Sequence, residues 1–384
     1  MSAPDTQRPL RITFVLEGRG LSGGVRVVVH QANLLRARGH NVTIVTRRVP
    51  YPRKVKSFAK RLRWDFQTAI GSVRDHVDDF AGPVHTVAPQ RMAARVPDGD
   101  AVIATYWTTA QPVMDLPPRC GRKFYFVQHY EAHTNDPEQV DATLRLPMRK
   151  LVVARWLQTL LRDRFDDDDA VLVSNGVDLE LFDAPRREPH NPPCVGVMYS
   201  RIPWKGTAVA FDAIARARRE IPDLAVVAFG SERPNNDLPL PPGTDYRFCP
   251  PQAQIRSIYA AADVWLCPST TEGFALPPLE AMACRCPAIS TRCGGPEDFV
   301  EEGYNGYLVD VGDSAAMAQR LVELLRDPAR LRTMAEHAYV TRLRFTWKRA
   351  VDRFEAALRD DQEVLAATEH QAALSELGSG QRAG

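Results

Sequence analysis

Short apolar runs alternate with helix-length amphipathic stretches along this chain, and that alternation dictates an α/β protein with parallel sheets. The opening unit is the clearest. Arg11 to Leu16 reads as a buried strand and Glu17 to Gly24 as a glycine-rich turn. A helix follows, with Val25, Val28, Val29, Ala32 and Leu35 on one face and Gly39 as its stop. Asn41 to Thr46 then supplies the second strand of a βαβ unit. Further strands are expected at 101–105, 123–128 and 170–174, with a helical stretch over 151–165. Prolines at 185, 189, 192 and 193 mark 183–193 as a linker. Beyond it the alternation restarts, with strands at 194–199, 224–229, 246–248, 264–267 and 288–290 and a helix over 207–219. A chain of 384 residues has room for two such Rossmann-like halves, joined near residue 188. The C-terminal stretch reads as helical, with a disordered tail from Gly378.

Composition removes several classes. Hydrophobic residues at 44% and charged residues at 25% exclude intrinsic disorder, collagen-like repeats and coiled coil as the main architecture. With 49 basic and 47 acidic residues, the formal net charge of +2 gives no argument for nucleic acid. No run approaches the roughly 20 apolar residues of a spanning helix, and no signal-peptide core is present, so a cytoplasmic location is expected. Eight basic residues between Arg47 and Arg63, with Tyr51, Phe58, Leu62 and Trp64 among or beside them, suit either a solvated basic segment or peripheral contact of 47–64 with an anionic membrane. The seven cysteines contain no C-x-x-C. Buried reduced thiols are the expected state, ahead of a metal site at Cys284, Cys286 and Cys293.

Two features carry chemistry. Gly18, Gly20 and Gly23 form a G-x-G-x-x-G between the first strand and its helix, where backbone amides could hold a phosphate. The second strand ends in Thr46-Arg47-Arg48 with no acidic residue for a ribose, so a dinucleotide reading requires NADP. Gly23-Gly24 is preferred as a close-approach loop for another phosphate. The second feature is Glu272, in the loop after the strand 264–267, and Glu280, early in a helix starting near Pro277. Carboxylates at the carboxyl end of a parallel strand face the ligand crevice of an open sheet, where they accept hydrogen bonds from sugar or ribose hydroxyls. By spacing alone, a helix-capping Glu and a surface Glu explain them better than a ligand site does.

The block EGFALPPLEAMACRCPAIST, followed by GGPEDFVEEGYNGYLV, resembles the E-x7-E signature of glycosyltransferase family 4. SRIPWKGT resembles that family's R-x-x-x-K-G element, VLVSNGVDLELF its NGVD turn, and TWKRAVDRFEAAL its final helix. The resemblance implies a GT-B fold, two Rossmann-like domains facing a central cleft, with a C-terminal helix crossing back to the first. The implied domains are 1–187 for the acceptor, 188–345 for the nucleotide sugar, and 346–384 for the returning helix and tail.

It also implies roles. Glu272 contacts the donor sugar and Glu280 the ribose, while the backbone around Phe274, Ala275 and Leu276 lies against the sugar or its phosphate. Arg201 and Lys205 clamp the diphosphate, together with Gly23 and Gly24. His129 is the active-site histidine, with Gln128 and Glu131 as competitors for that position. Ala275 and Arg285 stand where the family usually has glycine, the first narrowing the sugar pocket and the second pointing outward. Asn175 and Gly176 are expected to be structural, and the D-x-D within 166–169 a solvated turn.

The function implied is retaining, front-face transfer of a hexose, mannose or a 6-deoxyhexose such as rhamnose, from a nucleotide-diphosphate sugar to a glycan or lipid-linked acceptor. No metal or other cofactor is expected. The protein is then cytoplasmic, with the inner face of the membrane as an optional site of contact. A non-catalytic GT-B subunit and an NADP-dependent sugar-nucleotide oxidoreductase or epimerase are the alternatives.

Overall fold

A computed structural model describes residues 8–20, 22–47, 75–88 and 91–367. Most of the 47–64 segment and the tail from Gly378 therefore lie outside the described residues. The chain divides into two compact units. Among described residues, unit 1 holds those up to Val153, Leu157–Val173 and Val351–Leu365, and unit 2 holds Ala154–Trp156 and Ser174–Ala350.

Unit 1 is built on seven parallel strands: β1 (Arg11–Leu16), β2 (Asn41–Arg47), β3 (Val84–Val87), β4 (Ala101–Ala104), β5 (Arg122–Val127), β6 (Arg149–Val152) and β7 (Val171–Leu172). Their order is β3-β2-β1-β4-β5-β6-β7, so the winding reverses between β1 and β4. Helix α1 (Gly23–Ala37) joins β1 to β2, capped by Ser22, whose hydroxyl accepts from the Val25 amide at 3.3 Å. Helix α2 (Trp107–Met114) follows β4, and α3 (Arg155–Phe165) follows β6.

Two expectations are corrected here. Leu151 and Val152, read as the start of a helix, end strand β6, and the helix begins only at Arg155. Strand β3 was not anticipated. The D-x-D segment is mostly exposed, as expected, with Asp166 just past α3 at φ 52 and Asp167 paired with the buried Lys150 at 2.7 Å.

Unit 2 repeats the plan with β8 (Cys194–Met198), β9 (Ala225–Gly230), β10 (Asp245–Phe248), β11 (Val264–Cys267), β12 (Ala288–Thr291) and β13 (Gly306–Val309). The order β10-β9-β8-β11-β12-β13 reverses between β8 and β11. Helix α4 (Thr207–Ala217) follows β8, and α5 (Leu276–Ala283) follows β11. Its core is aliphatic, with Val195, Val197, Ile214, Leu266, Ile289 and Leu321 fully or almost fully buried. Gly176 of the NGVD turn is structural, as expected: a Cβ there would lie 2.1 Å from the Trp347 nitrogen.

The last helix, α6 (Trp347–Arg359), passes into unit 1 from Val351 onward. Phe354 is fully buried against Phe14 and Phe126, with ring centroids 5.7 and 5.3 Å away. Arg38 reaches Asp352 and Glu355, and His40 Nε2 lies 3.2 Å from Glu355. These partners, His40 first, hold the Glu355 carboxyl down at about 2.

Candidate active site

Open parallel sheets bind ligands at the carboxyl ends of the strands where the winding reverses. In unit 2 that place is the pair of loops after β8 and β11. The first runs Tyr199–Ile202 into a turn, Pro203–Lys205, and enters α4 through Gly206. Thr207 Oγ1 closes it, donating to the Ser200 carbonyl at 2.7 Å and accepting from the Ser200 amide at 3.1 Å. Gly206 is required twice over. Its φ is +64°, and a Cβ would meet the Pro268 carbonyl oxygen at 1.9 Å. That close approach stitches the two loops together, reinforced by the Thr270 amide donating to the Trp204 carbonyl at 2.7 Å.

Lys205 and Glu272, 67 positions apart, thereby meet: Nζ donates to Glu272 Oε1 at 2.7 Å. Burial lowers the lysine pKa, but the carboxylate beside it more than offsets this and leaves it above the ordinary value. Lys205 is therefore held as a cation. Ser269 Oγ donates to the same Oε1 at 2.7 Å. The Glu272 backbone is fixed as well, its amide donating to the Cys293 carbonyl at 2.7 Å and its carbonyl accepting from the Gly295 amide at 3.1 Å.

Phe274, Ala275 and Leu276 lie at the entry to α5, all buried. Pro277 and Pro278 occupy its first turn and carry no N–H, so the donors at this helix end are the amides of 274–276. Among the described residues none of the three donates a hydrogen bond to the chain. The first amides of a helix lack intrahelical acceptors, so these three are donors available to a ligand. Ala275 sits at φ 67, a left-handed backbone that favours glycine. Trp156 supports this loop from below, donating from Nε1 to the Gly273 carbonyl at 2.9 Å.

The remaining expected residues of unit 2 are placed differently from the Lys205–Glu272 pair. Glu280 is buried on α5 and accepts from Tyr259 Oη at 2.9 Å. Arg201 pairs with Glu232 at 3.0 Å, and Glu232 Oε2 also accepts from the Arg201 amide at 2.7 Å. That amide, ahead of the guanidinium, holds the Glu232 carboxyl below its usual range. Arg285 corrects an expectation. It does not point outward: it sits at φ 61, donates to the Ala184 carbonyl and stacks 3.6 Å from the Tyr339 ring centre, with 14% of its side chain exposed.

In unit 1 the reversal lies between β1 and β4. Glu17, just past β1, accepts from Arg47 at 2.6 Å and from the Thr108 hydroxyl on α2. Glu131, past β5, accepts from the Trp107 amide at 3.4 Å. Burial, with a smaller push from Glu17, raises the Glu131 carboxyl to about 8 against the pull of that amide. His129 donates from Nδ1 to the Tyr130 carbonyl at 2.9 Å, and its ring centre lies 4.5 Å from that of His133. A carbonyl can only accept, so the proton of neutral His129 sits on Nδ1 and Nε2 keeps its lone pair. Among the described residues Gly23 opens α1 with nothing within 4 Å of a Cβ position, while a Cβ on Gly24 would touch the Gln128 amide at 3.4 Å. Gln128 Oε1 is buried without a partner among the described residues. Of the two neighbours, Gln128 is the one packed against the glycine turn.

Among the described residues no three His, Cys, Asp or Glu side chains are grouped to hold a metal ion. The cysteines are free, and all but Cys249 are buried. Burial pushes the Cys284 thiol up to about 12 and Cys286 well above its ordinary value. No helix among the described residues is long and apolar enough to cross a membrane.

The two sheets, each wound about its own switch point, define a GT-B fold. Anabaena HepE in complex with UDP-glucose shares it at a TM-score of 0.70 and 16% identity, over 94% of this chain and 100% of that one. The sucrose-phosphate synthase of Thermosynechococcus elongatus does so at 0.66 and 18%, over 91% and 98%. Residues 193–327, which carry the Lys205–Glu272 pair, match the family model described as Glycosyl transferases group 1. Over 253 residues the chain is 31% identical to a D-inositol 3-phosphate glycosyltransferase of Salinispora tropica, covering 57% of this chain and 51% of that protein. It is 36% identical over 116 residues to an N-acetyl-alpha-D-glucosaminyl L-malate synthase of Bacillus anthracis, 29% of this chain and 30% of that one. The chain spans about half, or less, of the length of the curated relatives it matches.

Proposed function

We propose that the protein is a retaining glycosyltransferase of family 4 type. It moves a hexose, mannose or a 6-deoxyhexose such as rhamnose, from a nucleotide-diphosphate sugar to a glycan or lipid-linked glycan. The observation that carries this reading is the end of β11: three helix-entry amides without partners among the described residues, next to a carboxylate whose Oε1 is held by a lysine. A ligand with both anionic oxygens and hydroxyls satisfies that set. The group 1 match over 193–327 and the naming of UDP-glucose with HepE support the same reading.

In this reading unit 2 holds the donor and unit 1 the acceptor. Lys205, the amides of 274–276 and the Gly23-Gly24 turn stabilise the negative charge that grows on the diphosphate as the glycosidic bond breaks. Arg201 joins them by giving up its exposed pair with Glu232, an exchange that costs about 0–1 kcal/mol. Glu280, oriented by Tyr259, takes the ribose hydroxyls. Glu272 takes a sugar hydroxyl, and His129 steadies the sugar as positive charge develops at its anomeric carbon. The acceptor hydroxyl attacks from the face the diphosphate leaves. Its proton passes to the departing phosphate oxygen, so configuration is retained. Charge neutralisation falls to side chains and amides, without a metal ion. The protein acts in the cytoplasm, with the inner face of the membrane as an optional site of contact.

The test is incubation with UDP-, GDP- and dTDP-hexoses, following nucleoside diphosphate release and the anomeric configuration of the product by NMR. Release from one nucleotide family with retention is the expected result. An inverted product contradicts the mechanism, and no release from any donor contradicts the activity.

A further inference from the structure

Two donors converge on one oxygen of Glu272 and none on the other. Lys205 Nζ and Ser269 Oγ each lie 2.7 Å from Oε1, while no hydrogen bond to Oε2 is found among the described residues. A lysine alone does not enforce this, because an ammonium has three rotatable donors and can follow either oxygen of a turning carboxylate. A serine hydroxyl fixed on the neighbouring backbone can enforce it. Ser269 is fixed: it is 3% exposed, and its carbonyl accepts from the Thr291 hydroxyl at the end of β12.

We propose that Ser269 is a positioning residue for the donor sugar, fixing the orientation of the Glu272 carboxylate so that one oxygen faces the ligand. Resting on the donor assignment above, this gives Glu272 a single outward acceptor, Oε2, for one sugar hydroxyl. Ser269 itself touches neither sugar nor nucleotide. Its removal leaves the carboxylate and Lys205 paired but frees the carboxylate to turn. The sugar then loses a prealigned acceptor, and the nucleotide loses nothing.

The experiment compares free UDP with UDP-glucose, GDP with GDP-mannose, and dTDP with dTDP-rhamnose, by calorimetric titration of wild type, Ser269→Ala, Glu272→Gln and the double variant. A hydrogen bond to a charged group is commonly worth about ten- to a hundredfold, so Ser269→Ala is expected to weaken the sugar nucleotide by about tenfold. Affinity for the matching diphosphate should stay within about twofold. In the Glu272→Gln background, Ser269→Ala should add less than about twofold, because it acts only through that carboxylate. Ser269→Cys keeps the volume with a weaker donor and should fall between wild type and alanine, a second reading should the alanine variant fold poorly. Equal weakening of diphosphate and sugar nucleotide, or full additivity in the double variant, overturns the role of Ser269 alone. A wild type that binds none of the six ligands overturns the donor assignment, and this role with it.

Discussion

The switch points of the two sheets are built to opposite standards. At the β8/β11 edge of unit 2 every functional side chain has a designated partner. Two loops are pinned through a glycine that cannot accept a Cβ, and Glu272 is held at its amide, its carbonyl and one side-chain oxygen. At the β1/β4 edge of unit 1, among the described residues, the turn glycine Gly23 has nothing within 4 Å of a Cβ position and Gln128 Oε1 is buried without a partner, while Glu131 is raised to about 8. The contrast teaches where precision is spent. A diphosphate presents the same charges in every donor and rewards a rigid, preassembled cradle. The unit 1 edge, under-satisfied among the described residues, keeps hydrogen-bonding capacity that the proposed reading assigns to the ligand.

The largest expected effect comes from Lys205→Ala. Loss of its charge should lower turnover by at least about a hundredfold, the usual effect of deleting one transition-state donor. It also strands Glu272, whose side chain is 12% exposed, and should cost roughly 3 kcal/mol in chemical denaturation. Adding Glu272→Gln should restore much of that stability and none of the activity. If Lys205→Ala leaves both unchanged, the description of the unit 2 edge fails.

Glycine substitutions sharpen the contrast. Gly206→Ala forces a Cβ to within 1.9 Å of a backbone oxygen at a positive φ, and should destabilise by at least about 2 kcal/mol. Gly23→Ala meets no atom and should change the melting temperature by no more than a degree or two. Equal destabilisation by the two would erase the distinction between a stitched and an open loop.

The third expectation concerns pH. The Glu131 carboxyl, at about 8 in the fold and about 4.5 in the unfolded chain, keeps its proton longer when folded. The folded state then binds more protons between those values, so this group's contribution to stability falls as pH rises from about 4.5 to 8. Glu355 behaves oppositely. Held near 2, it contributes stability that is complete above its unfolded value and is lost as pH falls toward 2. Melting curves of Glu131→Gln should lose the decline toward pH 8 and keep the acid limb. An unchanged profile would remove Glu131 as a titrating group.

The smallest effect is Ala275→Gly. Exchanging alanine for glycine usually costs helix stability, but at φ 67 the left-handed backbone reverses that preference. Stability should hold within about 0.5 kcal/mol or rise, and a drop of more than 1 kcal/mol would contradict the geometry.

Much of the fold was legible because periodicity reports on it directly. Strand 264–267 and the first βαβ unit are where the apolar pattern puts them. The miss at β6 is physical: Leu151–Val152 runs without a break into an amphipathic helix, and a short apolar run fits either element. At the site, Lys205 and Glu272 were readable as residues, and their pairing was not, since topology alone brings two loops 67 positions apart together. Ser269, Glu232, Tyr259 and Trp156 carry no local signal and emerge only from the packing around them. Position 285 was misread as pointing outward, and the positive φ shared by positions 275 and 285 carried no signal in the sequence.

The central claim is that the β8/β11 edge of unit 2 holds a nucleotide-diphosphate sugar. Thermal unfolding with UDP-, GDP- and dTDP-sugars, and NADP as control, tests it most directly. At about 100 times its dissociation constant a ligand adds roughly 2.7 kcal/mol, which is readily seen. The account predicts stabilisation by one nucleotide family and its loss in Lys205→Ala. Stabilisation by NADP alone, or a nucleotide-sugar response that survives Lys205→Ala intact, would contradict it.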